Sequence, residues 1–269
     1  MKRVDFELLG DKHKKYESLT EQRLMSGCPV VIRLDGRSFH TFTKGMKRPF
    51  DERLSKAMID TTIDLVKQTS ADIGYCQSDE ISLAFSNTDP DKDFMFGGRI
   101  QKIVSVVASI ASVKFNRIIQ ETISERANMQ PVFDARVFQY PTLTLAAETF
   151  LWRETDATRN SLTMAASSLY THREMQGAGF VKKHNMLHEK GVNWNDYPVF
   201  FKRGTYVGPR KIFKNLTELE LSRIKKEFRP TGPIERNVVG ELKLPVFTEM
   251  LNPVGVFFFG EPYQTKLKE

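Results

Sequence analysis

The fold turns on two stretches, Val30-Val31-Ile32-Arg33-Leu34-Asp35-Gly36-Arg37-Ser38-Phe39-His40 and Ile73-Gly74-Tyr75-Cys76-Gln77-Ser78-Asp79-Glu80-Ile81-Ser82-Leu83-Ala84-Phe85. Val30 to Leu34 is a β-branched run ending at Asp35-Gly36, which reads as a buried strand stopping in a turn. Ile73 to Cys76 is a short strand. After it, Ile81, Leu83 and Phe85 alternate with Ser82, Ala84 and Ser86, the pattern of a half-buried strand, so Gln77-Ser78-Asp79-Glu80 lies in a hairpin.

Working outward, Asp51 follows Pro49 as an N-cap, and Leu54, Met58, Thr61/Thr62 and Leu65 recur at the helical period. A long helix follows Gly97-Gly98, with Ile100, Ile103, Val104, Val107, Ile110, Ala111, Phe115 and Ile118 on one face. Val132 to Tyr140, closed by Pro141, is a further strand. The order strand, helix, strand, strand, helix, strand is the split βαβ pattern, so the expected class is α+β with a ferredoxin-like antiparallel sheet. In that topology the hairpin strand inserts beside the first strand, and Asp35 and Asp79 share one sheet edge although far apart in sequence.

Beyond Tyr140 the expectations are a helix from about Leu143, another from about Asn160 to Met175, a break at Gly177-Ala178-Gly179 and a turn at Trp194-Asn195-Asp196. A short strand near Val199 to Thr205, a basic helix from Thr217, a Pro230-Thr231-Gly232-Pro233 linker and a final apolar strand from Val254 to Phe259 complete the chain. Residues 1–141 form the catalytic unit in this reading. Residues 142–269 form a helical and basic extension packed on it, with a mobile basic arm and no sharp boundary.

With 269 residues, 40% hydrophobic and 27% charged, the chain has the composition of a globular protein. Its first twenty-five residues are densely charged, and no stretch reads as a membrane span, so a cytoplasmic protein with no membrane partner is expected. Cys28 and Cys76 are too few for a disulfide framework or a Cys-based zinc site and read as buried free thiols. The net charge of +7 is uneven. From Phe200 to Arg229, Lys202, Arg203, Arg210, Lys211, Lys214, Arg223, Lys225, Lys226 and Arg229 face only Glu218, Glu220 and Glu227, a block that attracts phosphate backbones. A solvated helix face has the same composition.

A carboxylate at a strand end is commonly a turn residue. Two at one edge, with the Gly36 carbonyl as a further oxygen, suit a hard cation such as Mg²⁺, and a two-metal site would activate a hydroxyl and steady a departing phosphate. Glu80 is the weaker ligand candidate, because adjacent strand residues face opposite sides. The turn Gly36-Arg37-Ser38-Phe39-His40 offers consecutive N–H groups, with Gly36 able to take the positive φ of a phosphate nest. Arg99 and Lys102, three apart at a helix start, add positive charge. His40 and Phe39 are candidates to stack on a base or ribose, though Phe39 reads nearly as well as a packed core aromatic.

These motifs, with Arg48-Pro49, Phe133-Asp134-Ala135-Arg136, Trp152-Arg153 and Lys202-Arg203-Gly204-Thr205, make the chain resemble the tRNA-His guanylyltransferase family from about Asp5 to Thr205. The resemblance is strongest to the Thg-like branch, which adds nucleotides 3′-to-5′. It implies a polymerase-palm-like domain in which Asp35, the Gly36 carbonyl and Asp79 hold two Mg²⁺, with Asp35, Asp79 and Glu80 as the catalytic acids. It also implies nucleotide binding by Gly36, Arg37, Ser38, Phe39, His40, Arg48, Ser78, Arg99 and Lys102. Contact with tRNA would fall to Arg136, Arg159, Asn160, Lys202, Arg203, Lys211, Lys225 and Lys226. Expected partners are tRNA, GTP, ATP and other NTPs, in a homotetramer. One departure matters: dedicated tRNA-His guanylyltransferases carry His-Ile-Asn-Asn where this chain has Thr158-Arg159-Asn160-Ser161, which points to template-dependent tRNA repair. Asn160 reads equally well as a helix N-cap. A strict tRNA-His guanylyltransferase, a palm-fold nucleotide cyclase and a non-catalytic RNA-binding module are the alternatives.

Overall fold

The computed structural model describes residues 6–266, so Asp5 and the terminal residues of both expected units lie outside the described part. Helix α1 (Phe6–Ser18) precedes strand β1 (Val30–Gly36), a short α2 (Phe39–Phe42), α3 (Glu52–Thr69), and the hairpin β2 (Ile73–Gln77) and β3 (Glu80–Phe85). Then come α4 (Ile100–Thr122), β4 (Phe133–Gln139), α5 (Leu143–Ser167), α6 (Phe180–Glu189), α7 (Val199–Arg203), β5 (Thr205–Lys214), α8 (Glu218–Ser222), β6 (Ile234–Leu242) and α9 (Pro253–Phe259).

The six strands form one sheet in the order β4-β1-β3-β2-β5-β6, with all neighbouring strands antiparallel. The first four positions are the ferredoxin-like order expected from the sequence, and β5 and β6 extend the sheet past β2. Strand alternation divides the core. Val30, Ile32, Leu34, Ile81 and Leu83 face α3 and α4, where they meet Met58, Leu65, Ile103, Val107 and Phe115. Val31, Tyr75 and Ala84 face the opposite layer, where Ala146, Ala147 and Phe150 of α5 meet Val256, Phe257 and Phe258 of α9. Asp51 caps α3 as expected, its carboxylate accepting the backbone N–H of Arg53 at 3.0 Å.

Several expectations fail for identifiable reasons. Leu143–Ser167 is one continuous helix, and the segment near Val199 that read as a strand is α7. The final apolar run is α9, started by Pro253 at its first turn. Short apolar runs do not separate strand from buried helix by periodicity. The basic helix from Thr217 is five residues with Glu218 and Glu220 in its first turn, closed by a Thr217–Glu220 capping box. α4 is, by length and composition, apolar enough to cross a membrane, contrary to the sequence reading. In this fold its stripe Ile103, Val107, Ala111, Phe115 and Ile119 is buried. Cys76 is a buried free thiol, pushed by desolvation up to about 12; Cys28 is half-buried.

Candidate active site

Asp35 is the penultimate residue of β1 and has Glu80 of β3 and Asp134 of β4 opposite it in the two registers. Ser78 adopts φ 51° and turns the β2–β3 hairpin, which brings Asp79 back to β1. The Gly36 N–H donates to the Asp79 carbonyl at 3.1 Å and fastens that turn to the end of β1. Asp35 and Asp79 therefore meet as the topology requires. Burial holds the Asp79 carboxyl above its ordinary range, and the neighbouring Asp35 charge pushes it the same way.

This donor set fits a hard cation. It supplies carboxylate oxygens, with the Gly36 carbonyl in the same turn region, and two like charges that a cation would reconcile. No cluster of three or more His, Cys, Asp or Glu residues suited to a metal occurs among the described residues. A cation here would complete its shell from water and phosphate oxygens, as Mg²⁺ commonly does.

Glu80 is engaged elsewhere, in accord with its weaker candidacy as a ligand. Arg153 of α5 donates Nε–H to Glu80 Oε1 at 2.7 Å and Nη2–H to Asp156 Oδ2 at 2.9 Å. Desolvation raises the Glu80 carboxyl, and the Arg153 charge opposes that rise. Asn160 sits one turn further along α5 and donates to Asp156 at 3.2 Å, so it is not an N-cap but a mid-helix residue. Beside these groups opens a cleft of about 700 Å³. Asp35, Asp79 and Glu80 line it with Ser78, His40 and Arg48, and α5 contributes Arg153, Asp156 and Asn160. Lys44 and Lys47 line it too. The sequence reading passed over both, although the spacing Lys44, Lys47, Arg48 is itself a basic signal.

Other expected residues fall outside the cleft. Phe39 is buried and packs on Phe42, Phe115 and Phe133, which removes it as a stacking partner for a base. Gly36 is absent from the positive-φ glycines; Ser38 takes the left-handed turn instead, at φ 58°. Glycine is required at 36 because a Cβ there would collide with the Phe39 ring. Arg37 and Ser38 are exposed and do not line the cleft.

Arg99 and Lys102 begin α4 at its far end. Arg99 pairs through its backbone with Arg23 in an isolated antiparallel β-bridge, its Nε–H donates to the Phe96 carbonyl, and Lys102 lies 5.2 Å from the Phe96 ring centroid. Phe115, which packs against Phe39 near Gly36, follows Arg99 by sixteen residues of helix, about 24 Å along the axis. Within one chain the two basic residues do not join the Asp35 cleft.

The expected RNA contacts also separate. Arg136, Arg159, Lys225 and Lys226 are exposed, and Lys211 pairs with Glu235 at 2.9 Å on the β5–β6 hairpin. Lys202 lies 5.6 Å from the Trp194 ring. Arg203 serves the fold, donating to the Leu244 carbonyl at 2.9 Å and pairing with buried Glu154 at 3.5 Å. Glu154 also accepts from the Tyr206 hydroxyl and the Phe247 N–H.

Comparison with known proteins places this geometry. The family model described as tRNAHis guanylyltransferase matches residues 10–141. The tRNA(His) guanylyltransferase of Debaryomyces hansenii is 30% identical over 202 residues, spanning 69% of this chain and 75% of the relative. Among solved structures, a bacterial tRNA(His) guanylyltransferase-like protein in complex with ATP superposes with a TM-score of 0.76 at 32% identity, covering 93% of this chain and 99% of that one. A second bacterial structure, in complex with GTP, gives 0.70 at 30% identity, covering 93% and 98%. With a palm-like sheet carrying paired carboxylates and relatives alike over most of their lengths, the chain belongs to the tRNA(His) guanylyltransferase family of nucleotidyltransferases.

Proposed function

We propose that this enzyme adds nucleotides in the 3′-to-5′ direction to the 5′ end of a tRNA, with Mg²⁺ held by Asp35, Asp79 and the Gly36 carbonyl. The observation that carries the reading is that Asp35 and Asp79 share one cleft with Lys44, Lys47 and Arg48. Carboxylates beside basic residues are the arrangement that phosphoryl transfer uses, because its catalysis is positioning and charge stabilisation. Nucleotide binding by this chain is supported by the ATP and GTP complexes of the bacterial relatives.

In the reaction we infer, an oxygen of the RNA 5′-monophosphate first attacks the α-phosphorus of ATP or GTP and expels pyrophosphate, leaving the 5′ phosphate joined to a nucleoside monophosphate. The 3′-hydroxyl of an incoming nucleotide then gives up its proton and attacks that 5′ phosphorus, and the nucleoside monophosphate departs. The O–P bond to the incoming nucleotide forms as the bond to the activating group breaks. Pyrophosphate is removed from the new 5′ end later. Lys44, Lys47 and Arg48 offset negative charge on the polyphosphate, and Arg153 keeps Glu80 paired and out of the way of the acids that face the substrate. Bound Mg²⁺ would lower the pKa of the attacking hydroxyl and stabilise charge on the departing oxygens.

Thr158-Arg159-Asn160-Ser161 favours template-dependent repair over strict tRNA-His addition, since selection by base pairing needs a shaped site and a template base, whereas anticodon selection needs added protein contacts. The test uses a tRNA-His and a different tRNA, each lacking its first nucleotide, with the opposing base varied. Addition that tracks the opposing base in both RNAs is expected. Guanylate added to tRNA-His alone, whatever the opposing base, overturns the repair reading, and no Mg²⁺-dependent product on any RNA overturns the function.

A further inference from the structure

A second group of side chains flanks Asp35 on its β4 side, outside the cleft. Arg33 shares the Asp35 face of β1, two residues back. Its guanidinium lies 5.4 Å from the Trp152 ring centroid, and that of Arg153 lies 4.5 Å from the same ring. Trp152 is nonetheless 53% exposed. Arg136 stands opposite Arg33 in the β1–β4 register, and its ion pair to Asp134 is long, at 3.7 Å, with both side chains more than half exposed. The Arg33 side chain makes no hydrogen bond or ion pair among the described residues, although its charge is felt by Glu80. None of Arg33, Trp152 and Arg136 lines the nucleotide cleft.

We propose that Arg33, Trp152 and Arg136 form a stacking platform for unpaired RNA, specifically the 3′ strand that continues past the terminal base pair when a 5′ end reaches Asp35. The proposal rests on the RNA-end reading above. A 5′ end at Asp35 and Asp79, with a nucleotide in the cleft beside it, leaves the opposite strand to depart on another flank. The β4 flank presents the chemistry that holds single-stranded bases: an open aromatic surface for stacking, a stacked guanidinium, and a second arginine for the backbone. Stacking is sequence-tolerant, so the platform would hold the overhang of any tRNA acceptor end without reading it. The competing role is local, with Trp152 only shielding the Arg153–Glu80 pair from water.

The two roles separate by substrate. The chain has two tryptophans. Trp194→Phe therefore leaves Trp152 as the sole indole reporter, and a stem RNA with a short 3′ overhang should quench it more strongly than the same stem made blunt. Trp152→Leu should weaken binding of the overhang RNA on the order of tenfold, the loss of one stacked base. Its effect on blunt RNA should be small, Trp152→Tyr should restore binding, and Arg33→Gln should repeat the selective loss. Equal quenching by both RNAs, or an equal loss on both with Trp152→Leu, overturns the platform. If the wild type adds no nucleotide to any RNA, the function reading fails, while the quenching comparison still decides the platform.

Discussion

Glu80 and Arg153 meet at 2.7 Å across the interface between β3 and α5, with side chains only 12% and 8% exposed. The pair joins the strand end that carries the catalytic candidates to the helix that forms one wall of the cleft, and Asp156 extends the link at 2.9 Å. Removing one partner of a buried pair strands the other charge, at a cost of about 3–5 kcal/mol. Arg153→Met strands Glu80 and should lower stability in urea melts on that scale, Glu80→Gln leaves Arg153 paired with Asp156 and should cost less, and the double variant should recover much of the Arg153→Met loss. Lysine at 153 should not substitute, because it cannot present the planar fork that spans Glu80 and Asp156. Additive single-variant losses would show that the two residues act independently.

Asp35 and Asp79 should behave in the opposite way. Burial and the Asp35 charge already disfavour ionised Asp79. Asp79→Asn should therefore leave thermal stability unchanged or raise it, while nucleotide addition falls by at least about a hundredfold, the scale of losing one charge-stabilising group in an active site. Asp35→Asn should do the same to activity, and chelation of divalent cations should stop the wild type. Near-normal Mg²⁺-dependent turnover in either variant would remove both residues from the site.

The sequence made this pair legible because local pattern and topology sufficed: a β-branched run, a hairpin and an intervening helix force the end of β1 against the β2–β3 turn. The rest depended on packing. The apolar runs of α7 and α9 carry no period long enough to tell helix from strand, and β6, Ile-Glu-Arg-Asn-Val-Val-Gly-Glu-Leu, lacks the alternation of a half-buried strand. Arg99 and Lys102 looked like site residues because they open a helix over the sheet. Nothing local reveals that α4 runs toward the site, which leaves its first turn at the distant end. Arg153 was visible in its motif, yet its role depends on Glu80, seventy-three positions away.

Gly36 tests a finer point of the same kind. Its φ does not demand glycine; the Phe39 ring lying over its Cα does. Gly36→Ala must displace a ring packed among Phe42, Phe115 and Phe133, and overpacking of this sort costs about 1–3 kcal/mol. Phe39→Leu in the same chain should relieve part of the strain. If Gly36→Ala is neutral in a melt and Phe39→Leu gives no relief, the close approach is not what fixes glycine here.

Lys225 and Lys226 are exposed, in the basic segment that follows α8. If they contact RNA phosphates, each lost contact should reduce the slope of log affinity against log salt by roughly 0.7 to 0.9, by analogy with single and paired nucleic-acid strands. Charge reversal at both should weaken binding to every tRNA alike and leave the nucleotide requirement unchanged. An unaltered salt slope would assign them to a solvated face.

Asp51, which lines the same cleft but is not among the metal candidates, offers a pH-dependent measurement. Its carboxylate caps α3, and the side-chain hydrogen bonds from Arg53, at 2.9 and 3.1 Å, hold it below its ordinary value of 3.8 despite burial. A carboxyl whose folded value is lowered gives its full stabilisation above the unfolded value, and loses it as pH falls through the folded one. Asp51→Asn keeps an N-capping oxygen but removes the charge, whereas Asp51→Ala removes both and should cost about 1 kcal/mol more than the loss of charge alone. The stability gap between wild type and Asp51→Asn should be constant from pH 7 to about pH 5, then narrow below 3.8 as wild-type Asp51 takes up its proton. Denaturant melts across that range check the sign: a gap that stays constant into acid would mean that the Arg53 charge contributes nothing to holding the end of α3, and a gap that widens would mean that burial, not the ion pair, governs this carboxylate.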